Sequence, residues 1–505
     1  MGTTTDMRVA PGSEMELKMK NDRTVIRCAS IAILVLSVVF RIATVWFTDF
    51  SHLQSDALTY HDAAAAQVLQ GRLLQRSDPE NFGLQDLIAR GAPRWEPLHI
   101  FAPGFPLFLS CVFRLAGSGP LGTKAAMLVL AVLCGLLLPI MGARLYRLCG
   151  CRHRFGELGA MAVIAFWPEA FPMSAEALSE NLTVLLLTAW ALTGAYLLTG
   201  RSQTSRIPWC VFGLLSGLLF YTRSEFLPVI VLGFVITLLP YSRKAIVANL
   251  APMVIMSLPF ILAPTVRNAI DFGEFIPLTS AGGKNLWGAT IHSDTVYFSS
   301  WNAPVLRAAY VAGKPGATDR NFQRIAIASI RSNPLYYLEG VCARFVEVNF
   351  YPFGQPPARE HGGWNLLAAI ILRLLKLLLV LGMLAGFYVI CWSQRTLIGM
   401  FLFAIYVYKF VLLHTLFNGV PRMFYPFYPI AVTVAILGWE YAFTLAQRVS
   451  YAHAVTRTKA SSTQPPVYDS RSFAVLRPFL RLVRQGLERV TKERDWRPGG
   501  ICPLK

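Results

Sequence analysis

Long apolar runs separated by short basic links set the pattern of this chain. Ten of them, at about 26–47, 121–145, 156–172, 182–199, 207–221, 226–240, 245–265, 365–392, 397–414 and 424–445, read as membrane-crossing helices. A crossing helix needs about 20 apolar residues to match a hydrocarbon core of about 30 Å. A further run, Pro103 to Ala116, has only 14 residues, roughly 21 Å as a helix. It is too short to cross comfortably and is expected to lie as an interfacial or re-entrant helix on the outer side. The pattern predicts an all-α polytopic membrane protein with a bundle of about 10 transmembrane helices. Residues 1–24 form a polar cytoplasmic tail in this reading, and 25–446 the transmembrane domain. That domain has external regions at about 48–120 and 266–363, with helical pieces at Asn321–Asn333 and Leu335–Val348. Residues 447–505 form a basic cytoplasmic tail, partly disordered, in which Phe473–Val490 patterns as a surface helix on anionic lipid.

Composition agrees with this: of 505 residues, 54% are hydrophobic and 15% charged. That excludes an ordinary soluble domain. A net charge of +19 invites nucleic-acid binding. The basic residues instead gather in short links between apolar runs and in the tail, as positive-inside loops do, so no nucleic-acid partner is expected. Lys18, Lys20, Arg23 and Arg27 place the N-terminus in the cytoplasm. With 103–116 not crossing, Arg144, Arg147, Arg152, Arg154, Arg201, Arg206, Arg243 and Lys244 all fall inside. The nine cysteines show neither a disulfide framework nor a metal-binding spacing. No small-residue cleavage site precedes the first run, which is expected to remain as an anchor.

The same topology gathers the notable polar residues on the outer face. Asp56 and Tyr60 fall at helical i, i+4 spacing directly after the first span, so one helix face presents an acid and a phenol. Glu176, Glu180, Arg223, Glu225, Arg267, Asn268, Lys284, Asn285, His414 and Arg422 join them at that level. Ionisable residues at membrane depth are costly and are usually functional or paired. Guanidinium groups bind phosphate oxygens bidentately, and a carboxylate either takes a proton from a hydroxyl or holds a divalent metal. Each residue also has a structural alternative. Asp56 caps its helix, Glu180 complements a helix dipole, Arg41 snorkels or meets a lipid phosphate, and Arg223 and Glu225 neutralise each other. Gly282-Gly283 is too short to define a phosphate loop. His61 and Asp62 read as solvent-facing neighbours of the site.

Several of these residues also carry a family likeness. Ser55-Asp56, Tyr60, Ala63, Leu69 and Gly71, followed by Pro103-Gly104-Phe105-Pro106-Leu107-Phe108-Leu109 and Arg114-Leu115-Ala116-Gly117, resemble the opening of GT-C class membrane glycosyltransferases. The nearest branch resembles protein O-mannosyltransferases and lipid A aminoarabinose transferases. Ser179-Glu180-Asn181, Gly217 with Thr222-Arg223, Arg267-Asn268, Gly282-Gly283-Lys284-Asn285-Leu286, and Arg422 with Tyr425 and Pro429 continue the likeness in order, over about 30–440. Ala102-Pro103-Gly104 departs from the family's usual pair of prolines. The resemblance implies a polyprenyl-phosphate-linked sugar donor, an acceptor arriving from outside, Asp56 as catalytic aspartate and Glu180 as the second acid. Together with the crowding of polar residues on one face, it makes Tyr60, Arg223, Glu225, Arg267, Lys284, Asn285, His414, Arg422 and Tyr425 the candidates for substrate or phosphate binding, with Arg223, Arg267 and Arg422 foremost for the phosphate. A divalent metal is left open, since 57–62 lacks a D-x-D.

The expected function is transfer of a sugar, with inversion, to a lipid, glycan or protein acceptor on the outer face of a bacterial inner membrane. A flippase for a lipid-linked saccharide is the alternative. Carriers are commonly built from repeated halves with broken helices at the midplane, whereas the polar residues here crowd one face. A structural envelope subunit leaves that crowding unexplained.

Overall fold

The structure, a computed structural model, describes residues 12–460 except 54, 78–79, 81–84, 90–91, 151–153, 201–204, 278, 292–302, 352–362, 394 and 418–420. The expected surface helix at Phe473–Val490 lies outside the described residues. The chain divides into two units, Met1–Phe443 and Thr444–Lys505. In the second, the described residues are helical up to Ala460.

Among the described residues, six helices are long and apolar enough to cross a membrane: Thr24–Phe47, Pro120–Leu148, Arg243–Phe272, Leu367–Cys391, Thr396–Leu416 and Arg422–Tyr451. Their outward faces carry exposed apolar side chains such as Ile31, Val35, Val39, Ile255, Leu374 and Leu378, as a lipid-facing stripe requires. Apolar helices Gly104–Ala116, Ile207–Thr222 and Ser224–Leu238 are shorter. Inside, Trp190 stacks on Phe212 at 5.1 Å and meets Phe401 at 5.0 Å. Helices Gly363–Cys391 and Tyr428–Ala460 approach closely through glycines. A Cβ on Gly386 would run into the Val434 carbonyl, and one on Gly438 into that of Gly382. This is small-residue packing of the kind that joins helices in lipid, where there is little hydrophobic drive between them.

The structure departs from the sequence expectations at several places. The run 156–172 is not one helix. It ends at Ala165, breaks around Trp167-Pro168 and resumes at Ala170–Ala175. Proline disfavours the helical region for the residue before it, and the break turns Glu169 inward. The first helix begins at Gly12, inside the stretch read as a polar tail. The short run forms helix Gly104–Ala116, with Phe105, Leu109 and Phe113 buried. The segment after the first span also holds an antiparallel strand pair, Leu74–Arg76 with Trp95–Pro97, in which Gln75 faces Glu96. Three-residue strands leave too little alternation to read from sequence. The described part of 266–363 has helices Pro315–Ser332 and Pro334–Phe350, which overlap the expected pieces Asn321–Asn333 and Leu335–Val348. It closes a small core of its own from Trp287, Leu306, Ala309, Phe322 and Ala326.

Candidate active site

Helix Ser55–Gln70 starts the site, with Asp56 in its first turn. One turn on, Tyr60 is buried against Phe101 and Phe105, at ring separations of 4.9 and 5.2 Å. Its hydroxyl lies 3.1 Å from Ser179 Oγ. Burial, reinforced by the nearby Asp56 and Glu180 carboxylates, pushes the phenol well above its usual 10.0. Tyr60 is therefore a neutral hydrogen-bonding group rather than a base. Ser179 also donates to Glu180 Oε2 at 3.4 Å, which links the first outer helix to the start of helix Glu180–Leu197.

From Asp56 a chain of alternating charge runs inward. Arg422 Nη2 donates to Asp56 Oδ2. The Nε of Arg422 stands 3.6 Å from Glu180 Oε1, an ion-pair separation beyond hydrogen-bond reach. That Glu180 oxygen takes Arg223 Nη1 at 3.0 Å, and Arg223 Nε reaches Glu225 Oε1 at 3.0 Å. Lys409 then donates to Glu225. Three carboxylates thus alternate with three cations, drawn from five separated segments. Exposure is uneven along the chain. The side chains of Asp56 and Arg422 are 20% and 23% exposed, Glu180 is at 3%, Arg223 at 12%, Glu225 at 27% and Lys409 at 1%. Asp56 with Arg422 at one end, and Glu225 further along, are the partly open points.

Local backbone explains how these groups converge. Arg223 caps helix Ile207–Thr222 in an extended conformation (φ −149°, ψ 103°), which ends the helix and lets a 3₁₀ turn, Ser224–Phe226, set Glu225 beside it. Lys409 sits in a π-helical turn, Val407–Leu413. Such turns insert one extra residue and redirect side chains, commonly at functional sites. Arg422 belongs to the 3₁₀ stretch Pro421–Phe427 that precedes helix Tyr428–Ala460.

Of the expected site residues, Asp56, Tyr60, Glu180, Arg223, Glu225 and Arg422 come together. His414 is buried nearby, with Lys409, Glu225 and Arg223 as its charged neighbours and its Nε2 without a hydrogen bond. The remaining candidates are placed elsewhere. Arg267 donates to the Leu98 carbonyl at 2.5 Å and to Asn268 Oδ1 at 2.8 Å, which ties the end of helix Arg243–Phe272 to the segment after strand Trp95–Pro97. Lys284 and Asn285 lie on the short helix Gly282–Gly288. There the backbone amides of Gly283 and Lys284 point at Asp319 Oδ1, at 2.8 and 3.3 Å. A carboxylate of the same chain fills the place where a phosphate loop would hold its ligand. Burial raises the Asp319 pKa against the pull of those amides. Tyr425 stacks on Tyr428 at 5.2 Å, in the buried surroundings of Arg41.

Arg41 neither snorkels nor meets lipid. It is fully buried and donates to Ser174 Oγ at 2.9 Å and to Tyr428 Oη at 3.0 Å. His61 and Asp62 are not mere solvent-facing neighbours either. A His61 ring nitrogen bonds the Ser118 carbonyl at 2.8 Å, and Asp62 accepts from Arg76 Nε at 3.1 Å. Both hold the site helix to its surroundings.

Sequence reasoning missed Lys409. A lone lysine inside the 397–414 apolar run was the signal that could have found it, since an unpaired ammonium there is expensive. Lys376 and Glu169 carry the same signal, and they form a second buried pair at 3.0 Å with side chains 1% and 4% exposed.

No protein-family model and no curated protein sequence matches the chain. Among solved structures, the chain is similar to the archaeal oligosaccharyltransferase AglB from Archaeoglobus fulgidus in complex with an inhibitory peptide and a dolichol-phosphate. The two share 14% identity with a TM-score of 0.52, over 90% of this chain and 54% of that one. The same archaeal enzyme tethered to an acceptor peptide aligns with a TM-score of 0.50 at 14% identity, over 83% and 50% of the two chains. ArnT from Cupriavidus metallidurans bound to undecaprenyl phosphate covers 81% of this chain and 76% of its own at 12% identity. Its TM-score of 0.32 is too low to carry an argument. The chain spans about half the length of the archaeal enzyme. Its fold is similar to that of the archaeal oligosaccharyltransferase.

Proposed function

We propose that this membrane protein moves a sugar from a polyprenyl-phosphate-linked donor to a hydroxyl of a lipid, glycan or protein acceptor. The observation that carries the reading is the carboxylate of Asp56, partly open and held by Arg422 at one end of an acid–arginine chain. In the proposed step Asp56 takes the proton of the acceptor hydroxyl. The acceptor oxygen bonds to C1 of the sugar while the bond from C1 to the phosphate oxygen breaks, with inversion at C1. Polyprenyl phosphate leaves with the bonding electron pair. Arg422 and Arg223 are the candidates to neutralise it, since the guanidinium fork matches phosphate oxygens. Asp56 exchanges Arg422 for the acceptor hydroxyl when both substrates are present. Tyr60, neutral and anchored on Ser179, keeps the helix of Asp56 in register. We place the site on the periplasmic side of a bacterial inner membrane, with helices Ile207–Thr222, Ser224–Leu238 and Glu180–Leu197 and the broken segment 154–175 bringing the crossing count to about ten.

Proteoliposomes supplied with a polyprenyl-phosphate sugar and envelope acceptors test this directly. Labelled product that depends on Asp56 supports the reading. Headgroup translocation with no transfer product would mean a carrier instead.

A further inference from the structure

The partly open Asp56 and the buried Glu180 are the two carboxylates a divalent cation would need here. Oxygen ligands bind such ions at about 2.0–2.6 Å, so the cation would have to sit in the space between them. Here that space holds a guanidinium. Arg422 reaches Asp56 Oδ2 through Nη2 and faces Glu180 Oε1 through Nε at 3.6 Å. The same Glu180 oxygen is already bound by Arg223 at 3.0 Å. An ion coordinated there would lie against two guanidinium groups.

Charge and ligand count argue the same way. Asp56, Glu180 and Glu225 are balanced one for one by Arg422, Arg223 and Lys409. Adding a divalent ion would leave two positive charges in excess beside Glu180 and Lys409, which are 3% and 1% exposed, with Arg223 and Glu225 next to them at 12% and 27%. At such low local dielectric, repulsion between like charges is strong. Among the described residues, no three His, Cys, Asp or Glu side chains gather as a metal-holding group. The next acid, Glu176, lies near Arg422 and Glu180. Burial raises its pKa, which weakens it as an anionic ligand.

We infer that Arg422 stands in the place of a divalent cation, bridging Asp56 and Glu180, so that the site works without a metal ion. Arg422 is then a positioning residue for Asp56 as well as a candidate phosphate contact. The inference rests on the sugar-transfer reading only for its activity arm.

The test is a titration of the purified, full-length protein with Mn2+, followed by electron paramagnetic resonance, together with transfer assays in chelator. The wild type is expected to leave the free Mn2+ signal unchanged, and transfer is expected to proceed undiminished in EDTA. Arg422→Ala, which opens the gap between the acids, is expected to bind Mn2+, and Asp56→Asn in that background to abolish the binding. One equivalent of Mn2+ bound by the wild type and lost in Asp56→Asn would overturn the inference. Loss of transfer in EDTA, restored by Mg2+ or Mn2+, would overturn it too. Absence of transfer from every donor, with no Mn2+ bound, would sink the sugar-transfer reading and leave the bridge standing.

Discussion

Arg422 and Asp56, 366 positions apart, form an ion pair at one partly open end of the charge chain. The pair gives each partner a resting state. The carboxylate is kept oriented, and the guanidinium is kept from lying unpaired in the membrane protein's interior. A substrate that brings a phosphate and a hydroxyl offers replacements for both partners at once, so the exchange leaves no charge unpaired.

Replacing Asp56 by Asn keeps its size and removes the base. Transfer is expected to fall roughly 100- to 10,000-fold, the usual contribution of a general base. The protein should remain folded, because Arg422 keeps its approach to Glu180. Single-turnover transfer together with a thermal melt separates the two effects. A normal rate in Asp56→Asn would remove it as the base.

Lys376 donates to both oxygens of Glu169, at 3.0 and 3.4 Å, and to the Tyr351 carbonyl at 3.1 Å. Lys376→Met leaves a buried carboxylate without its ammonium and is expected to destabilise the protein by about 3–5 kcal/mol. Adding Glu169→Gln should recover most of that loss, since the amide still accepts from Trp167. Thermal unfolding in detergent measures the cycle. Strictly additive losses would show that the pair is not coupled.

His61 offers a pH test. Its hydrogen bond to Asp62 raises its pKa above the ordinary 6.5, and the bond to the Ser118 carbonyl adds to the effect despite partial burial. A group whose pKa is raised by folding stabilises fully below its unfolded value, and that contribution is lost as pH rises through the folded value. Helix Ser55–Gln70 should therefore exchange amide hydrogens faster, relative to the rest of the fold and after correction for intrinsic rates, above neutrality than below pH 6.5. In His61→Gln the difference should vanish. An unchanged pH profile in that variant would show that other groups set it.

Neighbouring glycines separate two readings of 282–283. A Cβ on Gly283 would collide with the backbone carbonyl of Asp319, whereas one on Gly282 comes only to 3.8 Å from the Asp319 carboxylate. Gly283→Ala is expected to cost about 1–3 kcal/mol through overpacking and to expose the 315–332 helix to protease, while Gly282→Ala is tolerated. Equal tolerance of both would mean that the turn yields. Equal loss of transfer with no change in protection would instead favour a ligand loop there.

Much of this fold could be read along the chain. The spans beginning near Ile26, Leu121 and Leu367 were legible because a crossing helix must be apolar along its whole length. Asp56, Glu180, Arg223, Glu225 and Arg422 were legible as candidates because ionisable groups at membrane depth stand out. The break at Trp167-Pro168 was present in the sequence as a proline but hidden by the apolar residues around it. Lys409, Lys376 and Glu169 were visible as isolated charges, yet nothing one-dimensional says which acid meets which base.

Taken alone, the sequence determined that the chain lives in a membrane and which residues are too costly to bury without a partner. Both follow from the free energy of single side chains and backbone groups away from water, which depends on residue type and run length. Only the tertiary structure decided the partners. It set Arg422 on Asp56 and Glu180, Lys409 on Glu225, Arg41 on Tyr428, and turned Arg267, Lys284 and Tyr425 to other neighbours. Pairing energies act over a few ångströms between residues hundreds of positions apart. Helix breaks, a π-helical turn and an extended cap decide which side chains come that close.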